Sequence, residues 1–239
     1  MPRAFMEKPA LLLTRPRKGA EAFVARLDTE VMQGVRVVIS PLIDICELDV
    51  HIGLSAYAGV IFTSSTTVEI TENGAGRPAC CVGAKTAELA KERGWRVERI
   101  AVDADQLVAS LLKDPVDTPL LHLGGTHRRG QVAERLSEAG LKTDALAIYD
   151  QVLRPLSDEA RALLAGSGPV VAPLFSPRTA GQFAQEVQGA ARLRLVAMSE
   201  AVAEPLRALD VECLHIACSP TGDGMRDAVE MLLREDSLA

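Results

Sequence analysis

Short apolar runs alternate with amphipathic stretches along the chain, and this alternation constrains its fold more than any other feature. One such run, Ala10–Leu13, precedes apolar side chains at the spacing of one helical face: Ala20, Phe23, Val24 and Leu27. Glycine, serine, threonine or proline stands at most of the junctions. Strands that are buried on both faces have continuous apolar sequences. The alternation therefore predicts an α/β fold in which helices flank mostly parallel sheets.

The pattern also predicts where individual elements lie. It places strands at 10–13, 35–39, 59–62, 80–82, 95–100, 120–123, 169–175, 195–198 and 211–217, with an extended segment at 145–149. Thr66 and Glu69 have the spacing of a capping box, which predicts a helix that begins at Thr66. Gly124 and Gly125 follow an apolar run, and we expect them to form a turn.

The chain repeats itself weakly at about half its length. Residues 11–13 resemble 120–122 at an offset of 109, residues 61–64 resemble 174–177 at an offset of 113, and residues 82–87 resemble 198–203 at an offset of 116. A repeat of this length predicts two similar α/β domains rather than a solenoid. The cleft between two domains is then the default place for a ligand. The repeat alone would divide the chain near residue 115.

Composition excludes several classes of protein. Lys and Arg number 26 against 32 Asp and Glu, and the resulting net charge of −6 argues against a general nucleic-acid binder. The longest uncharged segment, 50–68, contains too many polar residues for a transmembrane helix. Residues 1–16 lack the apolar core of a secretory signal. The five cysteines, an odd number without C-x-x-C, are typical of free thiols. We therefore expect a cytoplasmic protein without nucleic-acid or membrane partners.

The sequence lacks the motifs of the commonest cofactor and metal enzymes. It has no G-x-G-x-x-G after a strand, no phosphate-binding G-x-x-x-x-G-K-[ST], no H-E-x-x-H and no G-x-S-x-G. Cys213, His215 and Cys218 lie in an apolar run that indicates a strand, and no fourth zinc ligand is evident. These absences argue against a dinucleotide enzyme, an NTPase, a zinc protease and a serine hydrolase.

Turns rich in hydroxyl groups and glycine follow several predicted strands, at 63–67, 83–86, 124–129, 176–179 and 219–221. Such turns present backbone N–H groups to anions, although ordinary helix capping selects the same residue types. Cations lie in or beside these turns: Arg15, Lys85, Arg128, Arg129 and Arg178. Because guanidinium groups bind carboxylates in pairs, the pattern favours an anionic ligand.

Five short motifs, taken in their order and spacing, resemble the uroporphyrinogen-III synthase family. They are Leu-Thr-Arg-Pro at 13–16, Gly-Val-Ile-Phe-Thr-Ser at 59–64, Val-Gly-Ala-Lys-Thr-Ala at 82–87, Ala-Ile-Tyr at 147–149 and Leu-Phe-Ser-Pro at 174–177. The resemblance extends from Leu11 to about Leu233. It implies two similar α/β domains with parallel sheets, joined by a two-stranded linker. One domain would be discontinuous, with residues 1–39 and 153–239, and the other, 43–147, would be inserted into it. The linker strands would lie within 40–48 and 145–153.

The resemblance also implies an activity. The enzyme would be a lyase that removes water from hydroxymethylbilane, a linear tetrapyrrole, and closes the ring with inversion of ring D to give uroporphyrinogen III in heme biosynthesis. It would need no metal or organic cofactor. We expect a monomer, and the substrate could be handed over from the preceding enzyme of the pathway.

The family motifs assign roles to individual residues. Tyr149 matches the tyrosine thought to assist departure of the substrate hydroxyl. The substrate carboxylates would be bound by residues of the matching turns and by nearby cations: Arg15, Thr63, Ser64, Gly83, Lys85, Thr86, Arg129, Ser176 and Arg178. The chain departs from the family pattern at Ser199 and Val202, where glycine and threonine are expected, and it places Glu200 between them.

Two other functions fit the same sequence features. A two-lobed cytoplasmic binding protein for a small polyanion would have similar turns and a similar cleft, but it would bind its ligand without turnover. A regulatory or interaction module would need an exposed apolar patch or a basic surface, and neither is visible in the sequence.

Overall fold

The computed structural model describes residues 9–127, 130–187 and 192–238. The chain divides into two compact units. The discontinuous unit comprises the residues up to Asp44 and those from Val152 onward, and the inserted unit is Ile45–Gln151. The chain passes between the units at two places, between residues 44 and 45 and between residues 151 and 152. The division near residue 115 that the repeat alone suggests does not occur.

Strands and helices alternate along most of the described chain. In chain order they are β1 (Ala10–Leu13), α1 (Arg17–Val24), β2 (Arg36–Ile39), β3 (Ile43–Glu47), β4 (Gly59–Phe62), α2 (Ser65–Ile70), β5 (Pro78–Val82), α3 (Ala84–Glu92), β6 (Arg96–Ala101), α4 (Ala104–Lys113), β7 (Leu120–Gly125), α5 (Val132–Glu138), β8 (Thr143–Leu153), α6 (Asp158–Leu164), β9 (Val170–Leu174), α7 (Pro177–Glu186), β10 (Leu193–Ala197), α8 (Glu200–Ala203), β11 (Cys213–Ile216) and α9 (Gly222–Leu238). None of the helices in the described part of the chain is both long and apolar enough to cross a bilayer.

The discontinuous unit contains a parallel sheet of five strands in the order β11-β10-β9-β1-β2. Strand β1, which lies between β9 and β2, is buried on both faces. Successive side chains of a strand point in opposite directions, so both clusters contain its residues. Leu12 packs with Phe183 in one apolar cluster. Leu11 and Leu13 pack with Phe23 in the cluster on the opposite face. This arrangement explains the continuous apolar run of the sequence.

The inserted unit contains a sheet of six strands in the order β3-β8-β7-β4-β5-β6. Strands β4 to β8 pair in parallel. On one face, Phe62 packs edge-on against Trp95, with 5.1 Å between the ring centroids. On the other face, Ile61 packs with Leu107 and Leu136. The predicted α/β class with helix-flanked, mostly parallel sheets is confirmed.

The two sheets share one strand order, and this order explains the internal repeat. Counted from β11 in the discontinuous unit, the third and fourth strands are β9 and β1. Counted from β6 in the inserted unit, they are β4 and β7. These are the strands that the offsets of 113 and 109 match, and the offset of 116 matches β10 with β5 in the second position. The repeat therefore identifies equivalent strands correctly, although the chain enters the two sheets at different points.

Two local expectations are wrong, and both concern residues near the candidate site. The helix after β4 begins at Ser65 rather than Thr66, because Ser64 is its N-cap and accepts a hydrogen bond from the Thr66 N–H at 3.2 Å. Gly124 and Gly125 form the end of β7 rather than a turn, since they pair with Ala147 and Tyr149 of β8. The second correction depends on pairing with the neighbouring strand β8, which the local pattern does not specify.

Candidate functional site

The strand order of each unit creates a switch point at the carboxyl edge of its sheet. From β4 the chain continues through β5 to β6 on one side, whereas β7 joins the sheet on the other side of β4. In the discontinuous unit, β1 and β9 flank the corresponding position. In open α/β sheets, ligands bind outside the carboxyl ends of the strands at such points. The two switch points are therefore where binding groups are expected.

At the switch point of the inserted unit lie Thr63 and Ser64, which follow β4, and Gly125, which ends β7. Tyr149 belongs to β8, on the far side of β7 from β4. Its side chain nevertheless reaches across β7, and its hydroxyl accepts a hydrogen bond from Ser64. Only 6% of Tyr149 is exposed. The chain thus brings together three of the predicted site residues, Thr63, Ser64 and Tyr149.

The surroundings of Tyr149 keep its phenol protonated. Burial raises the pKa of Tyr149 above its ordinary value, and the hydrogen bond from Ser64 offsets part of that rise. An ordinary tyrosine already has a pKa near 10. The side chain is therefore a neutral hydrogen-bond donor at neutral and moderately alkaline pH, and it is a poor general base.

Ser64 links this phenol to the start of α2. Its Oγ accepts from the Thr66 N–H, and its backbone carbonyl accepts from the Thr67 hydroxyl at 2.6 Å. These bonds leave the Ser64 hydroxyl hydrogen for Tyr149. Helix capping and the contact with Tyr149 are therefore compatible roles of the same side chain.

Thr63 has a partner that the sequence analysis missed. Its Oγ1 lies 3.2 Å from Nε2 of His122, which projects from β7 and is 1% exposed. The histidine is the only polar residue in the otherwise apolar run Leu-Leu-His-Leu at 120–123, and this interruption is the signal that could have singled it out. The contact holds the Thr63 hydroxyl oxygen against His122 at the carboxyl end of β4.

The predicted residues Gly83, Lys85 and Thr86 lie one strand further from the switch point, after β5. Gly83 has a φ of 85°, a conformation in the left-handed region that favours glycine. Thr86 is buried in the first turn of α3, and Lys85 beside it is exposed. In the inserted unit, a cation and a hydroxyl therefore follow β5, next to the hydroxyl groups that follow β4.

Arg15 occupies the switch point of the discontinuous unit. It follows β1, and its guanidinium carbon lies 4.2 Å from the ring centroid of Phe175, which follows β9. A Cβ on Gly19 would lie 2.8 Å from Arg15 Nε, so the side chain packs closely over this glycine. Burial lowers the pKa of Arg15, yet a guanidinium stays charged at neutral pH. No carboxylate among residues 9–127, 130–187 and 192–238 pairs with it.

Ser176 and Arg178 follow Phe175, the residue that Arg15 contacts. Ser176 is the N-cap of α7, where its Oγ accepts from the Thr179 N–H at 3.1 Å, and it lies 2.8 Å from the Thr179 hydroxyl. Arg178 lies in the first turn of the same helix and is partly buried. Arg129, the remaining predicted site residue, lies outside the described residues, as does Arg128.

Ser199 and Val202, which depart from the family pattern, lie at the start of α8 and within it. Val202 is 2% exposed and packs in the apolar core of the discontinuous unit, so it presents no polar group. Ser199 begins α8 without capping it through its side chain. Glu200 pairs with Arg207, which also lies 3.3 Å from Glu204. An arginine therefore offsets the negative charge that the sequence places here.

The described residues contain no group of three or more His, Cys, Asp or Glu that could hold a metal. All five cysteines are free. Burial is the main cause that raises the pKa of Cys80 to about 11 and that of Cys81 to about 12. Both therefore remain thiols at neutral pH, which makes them poor nucleophiles and poor metal ligands.

Comparisons with known proteins converge on one family. A family model described as uroporphyrinogen-III synthase HemD matches residues 25–227. The crystal structure of uroporphyrinogen-III synthetase from Helicobacter pylori aligns over 95% of this chain and 100% of that chain, with a TM-score of 0.65 and 14% identity. A mutant uroporphyrinogen III synthase from Thermus thermophilus aligns over 95% and 99%, with a TM-score of 0.55 and 14% identity.

No curated protein sequence matches the chain at the significance that we required. At 14% identity the two structures establish the fold alone. Membership rests on the family model, which spans most of the chain. The chain belongs to the uroporphyrinogen-III synthase family.

Proposed function

We propose that the chain closes hydroxymethylbilane to uroporphyrinogen III by holding substrate carboxylates at the two switch points while Tyr149 assists the loss of water. The observation that carries this proposal is the hydrogen-bonded pair of Tyr149 and Ser64 at the carboxyl ends of β4 and β7. The pair places a neutral, buried hydroxyl donor where ligands of such sheets bind.

The reaction does not require a strong acid from the protein. The hydroxyl of the terminal hydroxymethyl group leaves as water with the proton that the adjacent pyrrole N–H gives up, while the pyrrole nitrogen supplies electrons to the carbon left behind. A phenol that donates a hydrogen bond to the departing oxygen stabilises the negative charge that develops on it. Because the pKa of Tyr149 is raised, we propose that it acts by hydrogen bonding and is not deprotonated.

The more demanding task is to direct ring closure to the type III isomer. The substrate also closes unaided, without inversion of ring D. The enzyme must therefore hold the linear tetrapyrrole with the substituted carbon of ring D at the reactive methylene. Orientation of this kind contributes about 7–11 kcal/mol in favourable cases. We propose that Arg15, Ser176 and Arg178 bind carboxylates in the discontinuous unit. Thr63, Ser64, Gly83, Lys85 and Thr86 would bind them in the inserted unit, and Arg129 would be a further cation.

The binding part of this proposal can be tested without turnover. Uroporphyrin III, the oxidised form of the product, keeps all the product carboxylates and serves as a stable probe. Titrated into the isotopically labelled chain, it should shift the backbone amide signals of 63–66 and 83–86 in one unit. In the other unit it should shift those of 14–15, Ser176 and 178–179, because Pro16 and Pro177 have no amide hydrogen. Shifts confined to the amino ends of the strands, or scattered over the surface, would contradict the assignment.

Each unit should act as a separate domain, with 1–39 and 153–239 in one, 43–147 in the other, and the linker strands within 40–48 and 145–153. The two apolar clusters of the inserted unit contain only residues between 45 and 149, which supports this proposal. Segment 43–153, expressed alone, is therefore expected to fold and to unfold cooperatively on heating, as followed by circular dichroism. A segment that remains unfolded, while the full chain folds under the same conditions, would refute these boundaries.

We further propose a cytoplasmic location, since free thiols persist in a reducing compartment. Because hydroxymethylbilane closes spontaneously, a hand-over from the enzyme that produces it would limit loss to the type I product.

A further inference from the structure

Gly125 is the last residue of β7, which lies between β8 and β4. Its partner across the strand pair is Tyr149, and the register between β7 and β8 shifts between Gly124 and Gly125. The backbone of Gly125 is not among the glycines with positive φ in the described residues. Backbone conformation therefore does not explain why a glycine occupies this position.

The Tyr149 ring explains it. A Cβ on Gly125 would lie 2.8 Å from both Cε2 and Cζ of Tyr149 and 3.2 Å from its hydroxyl oxygen. Approaches below 3.0 Å essentially never occur for a real Cβ. The ring thus lies directly on the Gly125 backbone, and this path across β7 carries the hydroxyl from β8 to Ser64.

The backbone on both sides is held, so the two strands could not easily separate to admit a methyl group. The Thr126 N–H donates to the Tyr149 carbonyl at 3.0 Å, and the Thr126 hydroxyl bonds to Asp150. Gly125 itself is buried within the sheet. An added methyl group would therefore displace the aromatic ring rather than the strands.

We infer that Gly125 is a positioning residue for the reaction, because its missing side chain is what lets the Tyr149 ring cross β7 and place its hydroxyl against Ser64. This inference rests on the role proposed above for Tyr149. It assigns to a residue with no functional group the task of fixing where the phenol donates its hydrogen bond.

The test compares Gly125→Ala with Gly53→Ala in steady-state turnover of hydroxymethylbilane. Gly53 is a matched control in the same unit, since a Cβ there meets nothing within 4 Å and its φ is −77°. Gly125→Ala should lower kcat about as much as Tyr149→Phe does and change KM by less than twofold, whereas Gly53→Ala should change neither. A normal kcat in Gly125→Ala would overturn the inference.

A double variant separates positioning from general damage to the fold. If Gly125 acts through the Tyr149 hydroxyl, Gly125→Ala should cost little further activity in a chain that already carries Tyr149→Phe. Additive losses would overturn the inference. If Gly125→Ala fails to fold, Tyr149→Leu, which lacks Cε2 and Cζ, should restore folding to the double variant. Failure to restore it would mean that the ring contact is not the reason for the glycine.

A spectroscopic measurement distinguishes failure of this inference from failure of the proposed function. The chain has two tyrosines, so Tyr57→Phe leaves Tyr149 as the only source of tyrosinate absorbance. In that background, Gly125→Ala should move the pKa of Tyr149, and Gly53→Ala should not. Unchanged turnover in Tyr149→Phe would remove the catalytic role of the hydroxyl, while this titration would still show whether Gly125 sets its position. An unmoved pKa would contradict the inference.

Discussion

Replacement of Arg15 by glutamine should raise KM for hydroxymethylbilane about 10- to 100-fold while it lowers kcat much less, because a charge-assisted hydrogen bond contributes about 1.5–3 kcal/mol. Arg15 combines features that point to a ligand. It stacks on Phe175, burial lowers its pKa, and no carboxylate in the described ranges pairs with it. A partly buried cation without a carboxylate is costly to the protein alone, and a substrate carboxylate would compensate for that cost.

Arg17 provides the matched control. It lies two residues further along, its side chain is 64% exposed, and it pairs with Glu21 across one turn of α1. Arg17→Gln should therefore leave KM within about twofold of the parent value, since an exposed pair of this kind contributes little. Equal KM values for Arg15→Gln and Arg17→Gln would show that Arg15 does not bind the substrate. Thermal unfolding of both variants checks that the sheet is intact.

Tyr149→Phe should lower kcat about tenfold, with KM close to the parent value. The change removes one hydrogen bond to the departing hydroxyl, which contributes about 1–1.5 kcal/mol. It keeps the ring that packs on Gly125 and fills the space around it. Residual activity is expected because the contacts with the substrate carboxylates, which orient the tetrapyrrole, remain.

The pH dependence of turnover by the parent chain provides a second test of the role of Tyr149. Burial raises the pKa of its phenol, so the protonated form persists above pH 10 and its contribution to folding is lost only as the pH rises further. The contribution of Tyr149 to turnover by the parent chain should therefore stay constant between neutral pH and about pH 9. A kcat that is unchanged in Tyr149→Phe across this range would contradict the proposed role.

The fold was largely predictable because its signals are local and repeated. Continuous apolar runs such as Ala10–Leu13 mark strands buried on both faces, and the structure places Leu12 and Leu13 in opposite clusters. The weak repeat identifies strands in equivalent sheet positions. It does not specify where the chain enters each sheet, because a circular permutation of the order in which the chain visits the strands preserves every local pattern. That is why the repeat alone misplaces the division between the compact units.

The site was predictable only in part. The turn after β4 and the extended segment around Tyr149 could be recognised as separate pieces, and Arg15 could be singled out as a cation after a strand. Their contacts could not be predicted, since the meeting of Tyr149 with Ser64 depends on strand order and on the register shift beside Gly125. His122 was missed because its contact with Thr63 comes from the adjacent strand.

The most direct test of the whole account is the isomer composition of the product. Freshly generated hydroxymethylbilane is supplied to the chain, the product is oxidised, and the type I and type III porphyrins are separated and quantified against a reaction without protein. The account predicts that type III predominates and forms faster than type I does in the control. Type I alone, formed at the spontaneous rate by a correctly folded chain, would contradict it and favour a protein that binds the tetrapyrrole without turnover.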